Sequence, residues 1–156
     1  MPTLHLICGL PGAGKTTLAK ELEAQHAAVR LCPDEWIIAL LPPDYFREER
    51  DRLRDPVEGL QWKLAERLLT LGVDTIIEWG LWGRSEREEL RDRARALGAA
   101  VKLHYLDVSF DELLRRVEER NRDLPFGSFY ISAADMQAWS ELFEPPGEDE
   151  LASYDM

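Results

Sequence analysis

One eight-residue stretch near the N-terminus, GLPGAGKT at positions 9–16, limits what this chain can fold into and what it can bind. It follows a pattern of glycine, four free positions, Gly-Lys and then Ser or Thr. A short apolar run at 3–8 precedes it, and a helical pattern continues from Thr17. The order of strand, glycine loop and helix predicts a loop that cradles a phosphate at a helix N-terminus. A plain glycine turn that binds nothing is the alternative.

The residue types of this loop suit contacts with a nucleoside triphosphate. Its glycines allow the backbone to curl so that successive N–H groups point at an anion. Lys15 would reach the β- and γ-phosphates, and the Thr16 hydroxyl would bind Mg²⁺, which prefers oxygen ligands. We therefore predict ATP and Mg²⁺ as cofactors. The predicted nucleotide contacts of the loop are Gly9, Pro11, Gly12, Ala13, Gly14, Lys15, Thr16 and Thr17.

The overall charge bears on the second substrate. With 30 acidic residues against 19 basic ones, the 156-residue chain carries a formal charge of −11. Binding to a nucleic acid rests on clustered Lys and Arg, so this balance argues against such a partner and favours a neutral or cationic small molecule. A local arginine cluster would still suffice for one phosphate group.

The length fits one domain, and the two cysteines suggest a reducing compartment. Cys8 and Cys32 fall at the ends of predicted strands, which favours buried thiols over a disulfide. The N-terminus enters a strand at once, without the pattern of a signal peptide, and no apolar run reaches the ~20 residues of a membrane span. We expect a cytoplasmic protein without a membrane partner, as a monomer or a homodimer.

Hydrophobic periodicity predicts alternating strands and helices. Strands are expected at 3–8, 28–31, 74–78 and 99–106, and helices at 15–25, 36–40, 55–71, 85–97, 109–121 and 132–143. This order predicts an α/β fold, namely a three-layer α/β/α P-loop NTPase with a parallel sheet of four or five strands and a small helical lid. The P-loop domain would span 1–144, with the lid at about 116–130, and the acidic tail 145–156 is expected to be extended or disordered.

The segment from 47 to 71 divides into two predicted parts. Its charged run, 47–55, indicates a solvated helix or loop. A helix should begin at Asp55, with Pro56 at its first position. The buried side of that helix is expected to consist of Leu60, Leu64, Leu68 and Leu71.

Two carboxylates follow predicted strands and should share one edge of the sheet with the glycine loop. Asp34 comes after the second strand, and Glu78 ends the third. Ligands bind at the carboxyl ends of parallel strands, so we expect the loop and both carboxylates in one crevice. For Asp34 the alternative is a cap on the short helix 36–40. For Glu78 we weigh a Mg²⁺ ligand against a substrate contact.

Three segments resemble the small P-loop kinases of the polynucleotide kinase, chloramphenicol phosphotransferase and zeta toxin type, and related AAA-type ATP-binding proteins. They are the loop at 9–17, LCPDEW at 31–36 and RRVEERN at 115–121, and the resemblance extends from residue 4 to about residue 142. It implies that Asp34 is the general base for the acceptor hydroxyl. It also implies that Arg120, or as second choice Arg116, is a lid arginine over the nucleotide. Glu78 departs from the aspartate common in P-loop enzymes.

Phosphoryl transfer requires in-line placement, neutralised charge on the moving group and a carboxylate near the attacking hydroxyl. Lys15, Arg120 and Asp34 match these requirements as catalytic residues, although a helical arginine pair also suits a solvated face. We therefore expect an ATP-dependent phosphotransferase that acts on a hydroxyl of a small molecule, such as an antibiotic, sugar or nucleoside. A 5′-hydroxyl polynucleotide kinase and an ATP-binding switch with slow hydrolysis are the alternatives.

Aromatic residues after the strand ends are candidates for binding the acceptor. The candidate acceptor contacts are Asp34, Trp36, Trp79, Trp82 and Arg84. Tryptophans also pack in cores, which is the alternative for all three indoles. Arg84 and Arg87 would suit an anionic acceptor, or would merely pair with Glu88 or other neighbours.

Overall fold

A computed structural model describes residues 1–156, in which four strands form one parallel sheet. The strands are β1 (Thr3–Cys8), β2 (Val29–Leu31), β3 (Thr75–Gly80) and β4 (Ala100–Tyr105). Their order across the sheet is β2, β3, β1, β4. Because β1 pairs with β3 on one side and β4 on the other, the glycine loop leaves the interior of the sheet.

Helices connect the strands and cover the sheet. They are α1 (Lys15–His26), α2 (Pro33–Leu40), α3 (Arg47–Thr70), α4 (Arg84–Ala96), α5 (Phe110–Asn121), α6 (Ala133–Leu142) and α7 (Glu148–Leu151). The predicted three-layer α/β/α P-loop fold is confirmed, with four strands rather than five. None of these helices combines the length and the apolar character that crossing a membrane requires.

The two faces of the sheet are covered by different helices. Leu4 and Leu6 of β1 point to the side of α3 and α4, where they belong to one core with Trp62 and Leu90. Ile7 points the other way and packs with α1. All of these residues are buried, as expected where helices cover both faces of a parallel sheet.

The helix α3 begins at Arg47 and runs through the position where the sequence predicts a new start. The charged run therefore forms its first turns, and Pro56 lies inside the helix. A proline removes the hydrogen bond to the carbonyl of Arg52, four residues earlier. Both residues are exposed, so water can satisfy that carbonyl. The predicted start at Asp55 was wrong because an exposed helix face tolerates the proline.

The buried face of α3 also differs from the prediction. Leu60 and Leu71 are each 59% exposed. The buried residues of this helix are Val57, Gln61, Trp62, Ala65 and Leu69. The observed buried stripe keeps the spacing of four residues but is shifted by one residue from the predicted leucines, which rotates it by about 100° around the helix. The leucines therefore lie beside the face that packs on the sheet and not on it.

The acidic tail packs against the domain, contrary to the prediction that it is extended or disordered. It contains α7, and Glu150 of this helix is buried against Arg87 of α4. Near the C-terminus, Asp155 donates its backbone N–H to the Val101 carbonyl at 2.8 Å and accepts from the Val101 N–H at 2.7 Å. These bonds attach the tail to the edge strand β4 without forming a fifth strand.

Candidate active site

The glycine loop adopts a conformation that depends on its glycines. Gly12 and Gly14 have φ values of 87° and 98°, in the left-handed region that favours glycine. A Cβ on Gly12 would approach the Leu113 carbonyl oxygen to 3.0 Å, because α5 packs directly on the loop. Gly14 is the N-cap of α1, so the unpaired N–H groups of the first helical turn are available to a phosphate.

A cleft of about 700 Å³ lies at the carboxyl ends of the strands. Of the predicted site residues, the following line it: Pro11, Gly12, Gly14, Lys15, Thr16, Thr17, Asp34, Glu78, Trp79, Trp82, Arg116 and Arg120. Gly9 and Ala13 are buried parts of the loop, while Trp36 and Arg84 lie outside the lining. The structure therefore brings the loop and both predicted carboxylates to one crevice.

Lys15 lies at the start of α1 with its ammonium group near several charges. Its Nζ donates to the carbonyl of Gly9 at 3.0 Å, which holds it against the loop. Burial lowers the pKa of Lys15 from 10.5 to about 8, and the charges of Asp34 and Glu78 oppose this effect. The lysine therefore stays cationic near neutral pH, with a hydration shell already partly removed.

Glu78 is buried and held by charged partners beneath the loop. Its Oε1 accepts the Thr16 hydroxyl, and its Oε2 accepts from Arg30 at 2.8 Å. Arg30 also donates to both carboxylate oxygens of Glu35, at 2.9 and 2.8 Å. This ion-pair network fixes Glu78 against the residue that the sequence predicts to bind Mg²⁺. The sequence analysis assigns no role to Arg30, although a charged residue inside a short strand of a covered sheet is a usable signal.

Asp34 lies in the first turn of α2 and faces the cleft. The N-cap of this helix is Cys32, with Pro33 at the first position, and no side chain caps it. The alternative role of Asp34 as a cap is therefore wrong. Its Oδ1 accepts from Arg54 of α3 at 2.7 Å, an ion pair that orients the carboxylate. Arg54 belongs to the charged run 47–55, which the sequence predicts to be solvated. No feature of the sequence therefore distinguishes Arg54 from its charged neighbours as a partner of Asp34.

The two predicted lid arginines of α5 both reach the cleft but differ in their contacts. Arg116 donates to the Gly12 carbonyl at 3.1 Å and to Glu112 at 2.9 Å. Arg120 lies one turn further, and its Nε is buried without a hydrogen-bond partner. Burial lowers the pKa of Arg120, and the Asp34 charge opposes this. Arg116 is thus part of the loop's support, whereas Arg120 has donor capacity left for a ligand.

The segment 122–131 after α5 covers one side of the cleft. Asn121 holds its two ends together, since its amide donates to the Ile131 carbonyl at 2.6 Å and accepts from the Ile131 N–H at 3.1 Å. Phe129 of this segment packs under Arg50 of α3, with the guanidinium 4.9 Å from the ring centre. At Gly127, φ is 83°, and a Cβ would come within 2.5 Å of Glu35. The segment therefore packs closely against Glu35, the residue that follows the predicted base.

Two of the three predicted acceptor tryptophans lie in the cleft. Trp79 donates its indole N–H to Gln61 at 2.8 Å, which sets the angle of its ring. Trp82 packs against Trp139, with ring centres 5.7 Å apart. Between them, Gly80 and Leu81 have φ values of 90° and 53°. This left-handed turn, unusual for leucine, places both indoles at the carboxyl end of β3.

Trp36 and the two arginines of α4 have other surroundings. Trp36 packs against the core that contains Leu4 and Trp62, so its role is packing and not acceptor binding. Arg84 pairs with Glu88 at 2.9 Å and with Asp149 at 3.2 Å on the surface. Arg87 is buried and binds Glu150 of α7. Neither arginine lines the cleft, because both form ion pairs with carboxylates of the packed tail.

A smaller hollow of about 220 Å³ adjoins the cleft and shares Arg54, Trp79 and Trp82 with it. Its remaining lining residues are Glu58, Leu81 and Glu86. Burial raises the pKa of Glu58 from 4.5 to about 7, with Arg54 opposing, and burial also raises the pKa of Glu86. This hollow, next to Asp34's partner Arg54, offers two indoles and two carboxyl groups to a ligand.

Residues 4–146 match AAA_33, an AAA domain family. The chain belongs to this family. This match confirms the resemblance drawn from the sequence. No curated protein matches the chain.

Solved structures of the same fold have diverse descriptions. A gluconokinase from Sinorhizobium meliloti 1021 has a TM-score of 0.62 at 20% identity, over 95% of this chain and 78% of that one. Kti12 from Chaetomium thermophilum, solved with ADP-AlF3, has a TM-score of 0.66 at 18% identity, over 92% and 81%. A chain of the Pnkp1/Rnl/Hen1 RNA repair complex has a TM-score of 0.67 at 19% identity, over 90% of this chain but only 43% of that one. At these identities the likeness shows the fold.

Both cysteines of the AAA domain have surroundings that disfavour the thiolate form. Cys8 and Cys32 are buried and free, as the sequence predicts. Burial raises the thiol pKa of Cys8 to about 11 and that of Cys32 to about 12. Cys32 lines the cleft, where its raised pKa favours the protonated thiol.

Replacing Glu58 with glutamine should stabilise the AAA domain at pH 8 by about 1 kcal/mol, a value discounted for partial exposure. With its pKa raised to about 7, folded Glu58 keeps a proton that the unfolded chain releases above about 4.5. The free energy of unfolding therefore falls as pH rises from 4.5 to 7, and this loss disappears in the variant. Urea unfolding at pH 4 and pH 8 checks it. Exposed Glu89→Gln is the control, and an equal change at both pH values would contradict the burial of Glu58.

Proposed function

We propose that this AAA domain is an ATP-dependent kinase that transfers the γ-phosphoryl group to a hydroxyl of a small molecule. The observation that carries the proposal is the placing of Asp34 in one cleft with Lys15 and Arg120. Burial lowers the pKa of both cations, and the Asp34 charge opposes that effect in each. Nucleotide binding alone does not require such a carboxylate, whereas a hydroxyl acceptor does.

Each of these groups has a role in the proposed transfer. Asp34 accepts the proton of the acceptor hydroxyl as its oxygen attacks the γ-phosphorus and the bond to the bridging oxygen of ADP breaks. Lys15 and Arg120 neutralise charge on the phosphoryl oxygens. Arg54 holds the Asp34 carboxylate in position through their 2.7 Å contact. The loop N–H groups bind the phosphates and contribute the partial positive charge of the α1 N-terminus.

The oxygen atoms at Thr16 fit Mg²⁺. The Thr16 hydroxyl and the Glu78 carboxylate lie against each other, and hard oxygen donors of this kind suit the ion. Thr16 and Glu78 would hold it, and when bound it neutralises phosphate charge. The contacts of Arg30 with Glu78 and Glu35 keep the carboxylate from turning away. The ADP-AlF3 bound to Kti12 supports ATP as the nucleotide.

The acceptor would lie between Trp79 and Trp82 and extend into the smaller hollow. Indole faces suit the flat or C–H-rich faces of a sugar, an amino sugar or a nucleoside. Glu58 and Glu86 can bond hydroxyls, or an amine once they ionise. The formal charge of −11 disfavours a nucleic acid acceptor, which needs clustered cations. A neutral or amine-bearing polyol therefore fits best.

The proposal predicts ATP-dependent phosphorylation within a panel of sugars, amino sugars, nucleosides and hydroxyl-bearing antibiotics. Product is detected by ³¹P NMR and mass spectrometry in the presence of Mg²⁺. Lys15→Ala is the matched control. It should raise the dissociation constant for ATP by roughly 10- to 100-fold, because a charge-assisted contact is lost, and should abolish product at limiting ATP.

Other results would point to different functions. Normal ATP binding with no phosphorylated product across the panel would contradict the kinase and favour a nucleotide-binding switch. Transfer to a 5′-hydroxyl oligonucleotide, with affinity that falls steeply with salt, would identify a polynucleotide kinase. Unchanged ATP affinity in Lys15→Ala would refute the assignment of the loop itself.

A further inference from the structure

All three histidines of the chain lie together, away from the cleft. His5 is in the middle of β1, His26 is the last residue of α1 and His104 is in β4. The ring centre of His5 is 5.1 Å from that of His26 and 5.3 Å from that of His104. Because α1 starts at the glycine loop and is ~18 Å long, its C-terminal end lies at the opposite edge of the sheet.

The central histidine of this group has a nitrogen atom without a partner. His5 is 1% exposed, and its Nδ1 makes a 3.0 Å hydrogen bond with Nε2 of His104. Its Nε2 is buried and has no hydrogen-bond partner. A proton on Nδ1, shared with His104, leaves a lone pair on Nε2, which is the form in which histidine binds a metal. A buried polar atom that is unpaired is otherwise costly, by about 1–3 kcal/mol.

A carboxylate completes the group. Asp74 precedes β3, and its Oδ1 accepts the backbone N–H of Thr3 at 2.8 Å, which fixes its side chain beside β1. One possible ligand atom from each of His5, His26 and Asp74 lies within 4.8 Å of the others. His26 is exposed at a helix end, so its ring can shift to close the remaining distance.

We propose that His5, His26 and Asp74 form a binding site for a divalent transition metal ion, with Zn²⁺ as the ion of best fit. Two imidazoles and a carboxylate are common protein ligands of Zn²⁺, and water would occupy the fourth tetrahedral position. His104 would act from outside, by fixing the orientation of His5. This site is independent of the proposed kinase activity.

A bound ion would join α1, β1 and the start of β3, and would stabilise the fold by mass action.

The test is zinc titration of tag-free, chelator-treated protein by isothermal calorimetry in nucleotide-free buffer. We expect one Zn²⁺ per chain and a rise in Tm on adding Zn²⁺. His26→Ala and Asp74→Asn should each weaken binding at least about tenfold, and the asparagine can still accept from Thr3. Gln25→Ala, an exposed neighbour on α1, should bind as wild type.

Two outcomes would overturn the proposal. One is no binding with Zn²⁺ in excess. The other is zinc binding that both His26→Ala and Asp74→Asn leave unchanged, which would place the ion at Thr16 and Glu78 or at the thiols. His26 is exposed, so its variant folds whatever the role of the buried His5, and the result is decisive in either direction.

Discussion

Replacing Asp34 with alanine is expected to lower kcat for phosphoryl transfer by roughly 10²- to 10⁴-fold, the usual contribution of a general base. The carboxylate lies in the cleft with Lys15 and Arg120 and is oriented by Arg54 at 2.7 Å. Without it, the attacking hydroxyl must lose its proton to water. The phosphate-binding groups remain, so the dissociation constant for ATP should change little. Steady-state kinetics with saturating ATP and a panel acceptor measure the effect.

The matched control is Asp51→Asn, because Asp51 also lines the cleft and its replacement removes one negative charge. It pairs with Arg50 on the surface of α3 and is 58% exposed, so we expect little change in kcat. A loss in Asp51→Asn equal to that in Asp34→Ala would indicate a general electrostatic effect and not base catalysis. An Asp34→Ala enzyme with wild-type kcat would show that Asp34 is not the general base of the transfer.

The part of the site that the sequence predicts best is the glycine loop. Its motif specifies local backbone geometry, and the φ values of Gly12 and Gly14 follow from which residues tolerate the left-handed region. The positions of Asp34 and Glu78 in the same crevice could also be predicted, because parallel strands bring their carboxyl ends to one edge. These are consequences of local sequence and of topology, and they need no knowledge of packing.

Contacts between distant elements could not be predicted in the same way. Arg54 pairs with Asp34 only because α3 runs unbroken from Arg47, whereas the charge run and Pro56 favour a helix that starts later. Arg30 bonds Glu78 because β2 lies beside β3, an order that the sequence does not state. Charged residues of this kind look solvated until the packing supplies their partners.

The composition of the acidic tail likewise led to a wrong prediction, namely that the tail is extended or disordered. A run of acidic residues after two prolines is typical of a disordered segment. Here one of them, Glu150, pairs with a buried arginine of α4, and the bonds between Asp155 and Val101 hold the end of the segment against β4. The pattern of Arg87 and Arg84 near a helix start gave no indication of this, since their partners lie more than sixty residues away in sequence. Specific contacts of the tail with the domain thus outweigh the average acidic character of the segment.

Replacing Glu150 with glutamine should lower the free energy of unfolding by about 3–5 kcal/mol, the usual cost of breaking a buried ion pair. Arg87 and Glu150 have side chains that are 0% and 1% exposed. Two parallel bonds join them, from Nε at 2.6 Å and from Nη2 at 2.8 Å. The neutral amide leaves the guanidinium as an uncompensated buried charge with the Leu81 carbonyl as a remaining partner. Urea unfolding at pH 7 measures the loss.

Two further variants separate the buried charge from the general acidity of the tail. Asp149→Asn removes a neighbouring carboxylate that pairs with Arg84 on the surface, and it should cost less than about 1 kcal/mol. The double variant Arg87→Met/Glu150→Leu removes both charges and should recover much of the loss, because an apolar pair of similar size has no desolvation cost. If Glu150→Gln destabilised no more than Asp149→Asn, the tail would contribute little to folding. Since Arg87 also holds the left-handed Leu81 between Trp79 and Trp82, a loosened tail should raise the KM for the acceptor before it affects ATP binding.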